Sequence, residues 1–355
     1  MTKPIRLLIL GTGGMARNHA EAFSAIDGVT LVAGIDTRPE PLAAFLKTHG
    51  IARGFGNLSD ALAWGEFDAV TNVTPDAAHF ATTMPLLERG KHVLCEKPLA
   101  TNEANARAMQ QAATRAGVVN MVNLSYRNVP ALQQAARMVR DGAIGAVRHF
   151  EASYLQSWLT QDAWGAWDKE SQWLWRLSTA HGSKGVLGDV GIHILDYATF
   201  IAGQDVAEIS CRLATFDKAQ GGRIGEYVLD ANDSATMQVV LRNGALGTVA
   251  ATRFASGHLN DLRLRLYGDR GGLEVRFEKA ESRLFACLEP DLRSANWSEL
   301  PCPAVPTIYQ RFIAAIRGEL PPDPTFERGA DLQRLLDLAE ASAAQRGVSL
   351  PVAAD

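Results

Sequence analysis

The chain has 355 residues, 47% of them hydrophobic and 21% charged, with a formal net charge of -4. That is apolar material for two cores and makes two domains the expectation, while the mildly acidic balance offers no basic groove for nucleic acid. The four scattered cysteines (Cys95, Cys211, Cys287, Cys302) form no CxxC pair, no apolar run reaches the ~18 residues of a membrane span, and Met1–Ile5 lacks the apolar region and cleavage site of a signal peptide. A reducing cytoplasm, with no disulfide framework and no metal site, is the expectation.

In chain order, Ile5–Leu10, Thr30–Ile35, Ala69–Val73, His92–Cys95 and Val118–Leu124 read as short apolar strands. Helical patterns separate them, among them Ala77–Arg89 and Glu103–Ala116, the latter with Asn102 as N-cap and Gly117 as C-terminal stop. Continuous apolar strands that alternate with helices predict a parallel sheet covered on both faces. The pattern changes near Arg148. Longer alternating segments follow at Arg148–Ser157, Val206–Phe216, Ala235–Leu241, Gly247–Phe254, Leu262–Tyr267 and Gly272–Phe277, with Asn243-Gly244 as a hairpin turn. This predicts a mostly antiparallel sheet with helices on one face, Val190–Ile201 the clearest. A Pro-rich stretch, Pro321–Pro324, precedes a last helix over Ala330–Arg346 that could return to the first domain.

The first strand runs into Gly11-Thr12-Gly13-Gly14-Met15-Ala16, which fits G-x-G-x-x-G/A at a strand-to-helix turn. The first glycine permits the turn, the second lets a pyrophosphate approach the backbone, and the small third residue lets helix and strand pack closely. Asp36 falls about 20 residues on, at the end of the second strand, where a carboxylate can accept ribose hydroxyls. It favours NAD over NADP; Arg38 is the opposing signal, since it could pair with a 2′-phosphate. Lys97 follows a strand's carboxyl end, where open parallel sheets place ligands, and Pro98 restricts its backbone to extended conformations. Asp189 and His193 are four residues apart, so on one helix they share a face. An imidazole with a pKa near neutrality can take a hydroxyl proton as hydride leaves carbon, and a nearby carboxylate can orient it.

These features together resemble the Gfo/Idh/MocA family of sugar and cyclitol oxidoreductases. The resemblance spans nearly the whole chain and rests on Gly11–Ala16, Thr74-Pro75 with His79, Glu96-Lys97-Pro98, Tyr126-Arg127, and Gly185 through Asp196. It implies an α/β protein: an N-terminal Rossmann domain with a doubly wound parallel sheet (residues 1–125), then a C-terminal α+β domain with a large, mostly antiparallel open sheet (residues 126–355) that often mediates oligomer contacts. It further implies a cofactor surface of Gly11, Thr12, Gly13, Gly14, Met15, Asp36, Arg38, Thr74, Pro75, His79, Glu96, Lys97 and Arg127, and a catalytic set of Lys97, His193 and Asp189. Two departures from the family pattern are Asp76, where asparagine is frequent, and Lys184, within what is elsewhere an all-glycine run.

On the substrate side, Tyr126, Trp167, Trp175, Arg176, Lys97, Asp189 and His193 are the candidates. Five of the seven tryptophans crowd between Trp158 and Trp175, and indole faces pack well on the C–H faces of sugars; a satellite apolar cluster or an oligomer interface would use the same residues. The expected activity is reversible hydride transfer between a secondary alcohol of a sugar, sugar derivative or cyclitol and NAD, with NADP as the alternative cofactor, in a homodimer or homotetramer. Two other functions use the same architecture: a redox-assisted glycosidase that retains its NAD, and a non-catalytic regulator that senses sugar or dinucleotide. Intact Lys97 and His193 weigh against the regulator.

Overall fold

The computed structural model describes residues 4–353; Met1–Lys3, on which the signal-peptide expectation partly rests, lie outside the described residues, as does the side chain of Gln172. None of the described helices is long and apolar enough to cross a membrane. The chain divides into two compact units: the residues up to Ser125 with Pro306–Gln333, and Tyr126–Val305 with the residues from Arg334 onward.

The first unit begins with β1 (Ile5–Leu10), α1 (Gly14–Ser24), β2 (Val29–Ile35), α2 (Pro39–His49), β3 (Arg53–Phe55), α3 (Leu58–Trp64), β4 (Ala69–Asn72), α4 (His79–Glu88), β5 (His92–Cys95), α5 (Glu103–Ala116) and β6 (Asn120–Val122). All six strands are parallel, in the order β3-β2-β1-β4-β5-β6. This is the doubly wound arrangement in which strand order reverses between β1 and β4. Leu7, Leu8 and Ile9 have no exposed surface, as a strand covered on both faces requires. The caps read from sequence are present: Asn102 accepts from the Asn105 amide at 2.9 Å, and Gly117 ends α5 with φ +62°.

The second unit contains α6 (Pro130–Arg140), β7 (Val147–Gln156), α7 (Ser171–Leu174), α8 (Ile192–Ala202), β8 (Val206–Ala214), the small pair β9 (Arg223–Ile224) and β10 (Tyr227–Val228), then β11 (Ser234–Leu241), β12 (Leu246–Thr252), β13 (Asn260–Gly268), β14 (Gly271–Glu278), β15 (Glu281–Leu288) and β16 (Ser298–Leu300). With β17 (Leu350–Pro351) they form a nine-stranded sheet, β16-β15-β14-β13-β7-β12-β11-β8-β17. Its pairs are antiparallel except β7 with β12. Alternate residues of β11 (Ala235, Met237, Val239, Leu241) are buried, which is the one-face-covered pattern of an antiparallel sheet. The covering helix α8 is apolar almost all round; ten of its eleven residues are buried, because it packs on α6 as well as on the sheet.

The structure corrects the sequence reading in several places. The segment after residue 126 is not one domain: α9 (Ile308–Ile316) puts Ile308, Phe312 and Ile313 into the core of the first unit with Leu7, Phe23 and Leu94. The Val122 amide donates to Pro324 O at 3.0 Å, and Asn120 Oδ1 accepts from the Phe326 amide at 2.9 Å. The segment thus covers the otherwise open edge of β6, where unpaired amides are a liability. The last helix, α10, begins earlier than expected, at Phe326, and runs to Ala344. The helix expected from Val190 starts as a π-helical turn, Leu187–Gly191, before α8. β15 escaped the sequence reading because its hairpin turn is Lys279-Ala280, both at positive φ (52° and 65°), without the Asn or Gly that ordinarily marks such a turn.

Gly247 on β12 pairs with Phe150 on β7, whose buried ring lies where a side chain would go: a Cβ at Gly247 would be 2.0 Å from the ring. Gly247→Ala should cost roughly 1–3 kcal/mol by overpacking, read as a lower urea midpoint with an unchanged slope.

Candidate active site

The cofactor-facing candidates other than Arg127 lie in the first unit, at the carboxyl ends of its strands. Gly11 has φ +91°, and a Cβ there would lie 2.8 Å from the Val73 carbonyl oxygen, so only glycine fits. At Gly13 and Gly14 a Cβ would meet nothing within 4 Å. α1 starts at Gly14 with no side chain capping its first amides, and Met15 beside them is 47% exposed. Open backbone and uncapped N–H groups at a helix start fit a pyrophosphate.

Asp36 is where the sequence placed it, but its carboxylate is already engaged. Oδ2 accepts from the Thr12 amide (3.0 Å), the Thr12 hydroxyl (2.7 Å) and Arg38 Nη2 (3.1 Å); Oδ1 accepts from the Arg38 amide (2.9 Å) and Nε (3.0 Å). Burial pushes the carboxyl pKa up, but the bonds from Arg38 and Thr12 outweigh it and hold it well below the usual range. The Arg38 side chain is 62% exposed. Thr12, by contrast, is buried with the carboxylate. An open groove of about 470 Å³ lies beside Asp36 and Thr37, walled by Pro39, Leu42 and Leu46.

At the end of β4, Asn72 Oδ1 accepts from the Thr74 amide (3.2 Å) and hydroxyl (2.7 Å), while its Nδ2 donates to Thr82 and Thr83 (2.9 Å each). The Thr74-Pro75 loop is therefore held from below. His79 touches the same loop: its Nε2 is 2.9 Å from Thr74 O, and its Nδ1 is 2.8 Å from Pro98 O.

In Glu96-Lys97-Pro98 the acid is held by neighbours in the first unit. Glu96 Oε1 meets His19 Nε2 (2.8 Å) and Asn123 Nδ2 (2.5 Å), and Oε2 accepts the Lys97 amide (3.2 Å). Thr71 closes the chain on the far side of His19 at 2.7 Å, and Tyr309 of α9 lies 3.4 Å from Asn123. Burial raises the Glu96 pKa, but hydrogen bonding and charge from His19, with Asn123, bring it down to about 2. Glu96 is thus a buried anchor that fixes the backbone of Lys97, itself half-buried.

The second unit holds the other candidates. Asp189 lies in the π-helical turn and His193 in the first turn of α8. Turns of this kind recur at functional sites. Gly188 permits the turn, since a Cβ there would be 2.3 Å from the Lys184 Cβ. The Asp189 carboxylate is gripped by two guanidiniums: Oδ1 by Arg176 Nη1 (3.3 Å) and Oδ2 by Arg253 Nη2 (3.1 Å). Arg253 is fully buried, against the Trp158 ring at 4.9 Å, and also donates to Arg176 O. The His193 imidazole is 7% exposed and meets the Tyr126 ring nearly perpendicularly, centroids 5.0 Å apart.

Tyr126, Tyr154 and Asn260 form a closed ring of hydrogen bonds. Asn260 Nδ2 donates to Tyr126 OH (2.6 Å), Tyr126 OH to Tyr154 OH, and Tyr154 OH to Asn260 Oδ1 (2.5 Å). The directions are forced, because an amide nitrogen only donates and an amide oxygen only accepts. Burial raises the Tyr126 pKa to about 12. Its proton is spent inside the ring, so toward a substrate Tyr126 can only accept.

Three sequence candidates have other employment. Arg127 is buried in an ion pair with Asp196 (2.6 and 2.8 Å) and stacks on Phe200 at 3.5 Å, so its charge is neutralised inside the second unit. Trp167 packs, with Trp164 and Trp173, against an apolar cluster of Trp158, Leu159, Leu174, Leu177 and Leu229. Trp175 is the exception, 36% exposed with Arg176 over its ring at 4.8 Å. Lys184 pairs with Glu340 at 3.3 Å.

Sequence reasoning missed His19, Asn123, Tyr309, Tyr154, Asn260 and Arg253. Two left a signal. His19 lies in the apolar stripe Ala16, His19, Ala20, Phe23 of α1, and Arg253 continues the inward alternation Gly247, Val249, Ala251 of β12. A polar group in such a register demands a buried partner.

The comparisons agree with this geometry. Residues 5–124 match the oxidoreductase family with an NAD-binding Rossmann fold, and residues 132–274 match the GFO/IDH/MocA C-terminal domain. An oxidoreductase domain protein from Kribbella flavida, known by its crystal structure, is 30% identical with a TM-score of 0.87, covering 99% of this chain and 100% of that one. The chain belongs to the Gfo/Idh/MocA family of NAD(P)-binding oxidoreductases. Among relatives, D-apiose dehydrogenase of Paraburkholderia graminis is 29% identical over 345 residues, 94% of this chain and 85% of that protein. A levoglucosan dehydrogenase structure in complex with NADH and levoglucosan shares the fold, at 24% identity and TM-score 0.87, covering 99% and 100% of the two chains.

Glu96→Gln takes the buried negative charge away from His19 and should lower stability at neutral pH by about 3–5 kcal/mol. Because the folded pKa lies below the ordinary 4.5, the wild-type advantage is full above about pH 4.5 and fades as pH falls toward 2. Denaturant titrations of both proteins across that window check it.

Proposed function

We propose that this chain is an NAD(P)-dependent dehydrogenase that moves a hydride between a secondary alcohol carbon of a sugar, sugar derivative or cyclitol and the nicotinamide. The observation that carries the reading is the pairing, in one chain, of an uncapped glycine-rich helix start and a Lys97 whose backbone Glu96 anchors with an Asp189/His193 segment whose carboxylate two arginines hold. Relatives that act on D-apiose and levoglucosan support the carbohydrate class. When bound, the nicotinamide accepts or returns the hydride. The residues of this chain handle everything else.

Oxidation of a carbinol releases a proton from its hydroxyl, so the reacting oxygen needs a base in one direction and an acid in the other. Lys97 and His193 fill these roles: the ammonium or amine at the reacting oxygen and the imidazole as acid/base, with Asp189 as the orienting carboxylate. The grip of Arg176 and Arg253 keeps Asp189 an acceptor, suited to a substrate hydroxyl or an imidazole N–H. Gly11, Thr12, Gly13, Gly14 and Met15 face the dinucleotide phosphates, and Thr74 and Pro75 the nicotinamide side. Asp36 and Arg38 decide the adenosine ribose: NAD takes the carboxylate from Arg38, whereas NADP would take Arg38 from the carboxylate. We assign NAD as the preferred cofactor. The exposed Trp175 and the half-buried Arg176 beside it line the sugar. A second copy packs on the open face of the nine-stranded sheet, where Arg263 and Arg276 flank Glu274, to give a homodimer or homotetramer. The four free thiols fit a cytoplasmic location.

A panel of sugars and polyols that includes D-apiose and levoglucosan should contain at least one compound that reduces NAD; a panel without turnover removes the dehydrogenase reading. On the positive compound, Lys97→Ala should retain NADH binding by fluorescence and lose at least ~10²-fold in kcat. His193→Asn should abolish the kcat/KM limb near neutrality. Kinetics with both cofactors should favour NAD, and Arg38→Ala should strengthen that preference.

A further inference from the structure

His79 opens α4 and has no exposed surface. Both of its ring nitrogens meet backbone carbonyls, Nδ1 at Pro98 O (2.8 Å) and Nε2 at Thr74 O (2.9 Å). A carbonyl oxygen only accepts, and a neutral imidazole carries one N–H and one lone pair. In either neutral tautomer one of the two contacts would set a lone pair against a carbonyl oxygen. Only the imidazolium donates at both. We infer that His79 is a doubly protonated imidazolium across the physiological pH range, a buried cationic staple between the loop after β4 and the segment after β5 that carries Lys97.

The surroundings supply the compensation such a cation requires. Two titratable groups lie close enough to act on the ring: Asp76, from the turn that leads into α4, and Cys95, at the end of β5. Burial alone would push the pKa down; Cys95, Asp76 and the Pro98 carbonyl outweigh it and raise the value to about 10. Each end of the staple lies on a backbone that is itself held. Thr74 is bound to Asn72, and Pro98 follows the Lys97 amide bound to Glu96. A neutral imidazole at position 79 could satisfy one of these ends but not both.

A fixed charge has a chemical consequence, which rests on the function proposed above. His79 does not exchange a proton near neutrality, so it is a positioning residue for Lys97 and not the base. Any limb of the pH–rate profile near neutrality then belongs to another group, Lys97 or His193.

Long-range proton–nitrogen correlation spectra of the ¹⁵N-labelled wild-type protein test the charge state directly. One of the eight histidines, assigned by its loss in His79→Gln or through its backbone resonances, should show both ring nitrogens protonated from about pH 6 to about pH 9. An unprotonated ring nitrogen at His79 at neutral pH overturns the inference. The folding equilibrium supplies a second measurement. A raised pKa means the native state holds one more proton than the unfolded chain between about 6.5 and about 10, so the wild-type folding constant should fall about tenfold per pH unit relative to His79→Gln across that window. Parallel pH dependence of the two proteins overturns it as well. In turnover, His79→Gln should lower kcat and leave the limb near neutrality in place. An unchanged kcat removes the positioning role, and a vanished limb makes His79 the titrating group. Wild-type protein inactive on every substrate would defeat the proposed function, while the spectra would still decide the charge state.

Discussion

β1 has parallel neighbours on both edges, β2 and β4, and helices over both faces, so its backbone groups and side chains are consumed by the sheet and the core. Only its carboxyl end remains to do chemistry. There the Gly11 amide still donates to Ile35 O (2.8 Å) and the Val73 amide to Leu10 O (2.7 Å), so three chain segments leave the sheet together. The turn after β1 passes so close to the Val73 carbonyl that no side chain fits. The placement of the other candidates in the first unit follows from the same arrangement of strand ends. Asp36 extends β2, Thr74 follows β4, and Lys97 follows β5, because in an open parallel sheet the strand ends at the reversal of order diverge and leave a crevice.

The motif residues are only the visible layer of each unit. Beneath them lie polar groups buried at a desolvation cost that is recovered only when every partner is present. In the first unit, Thr71, His19, Glu96, Asn123 and Tyr309 run as a chain from the middle of the sheet to α9. In the second, Arg253 under Trp158 holds Asp189, and the ring of Tyr126, Tyr154 and Asn260 walls the His193 imidazole. Such networks add orientation more than net stability. They turn a glutamate that looks like a surface contact into an anchor, and a tyrosine that looks like a donor into a fixed wall.

Much of this protein was legible from its residues taken in order. Period-2 alternation and apolar runs located five of the six strands of the parallel sheet, and the Asn102 and Gly117 caps bounded α5 as read. The edge strand Arg53–Phe55 was missed because three residues carry no period. β15 was missed because its turn lacks the residues that announce one. The glycine loop, Asp36, Lys97, Asp189 and His193 could be singled out as candidates because each is a residue type whose chemistry is tied to a local position, a strand end or a helix start.

What stayed hidden shares one cause. Local pattern determines which residues form strands and helices, which faces are apolar, and which chemical groups stand at element ends. Partners separated by many residues are set by packing alone: Glu96 with His19, Arg127 with Asp196, Asp189 with Arg253, and Pro306–Gln333 with an edge strand formed near residue 120. A carboxylate or guanidinium has the same identity in sequence whether it meets water or a buried countercharge. Only the tertiary structure decides which, because the energy of a charge depends on the dielectric and the donors around it, and neither is a property of its own stretch of chain.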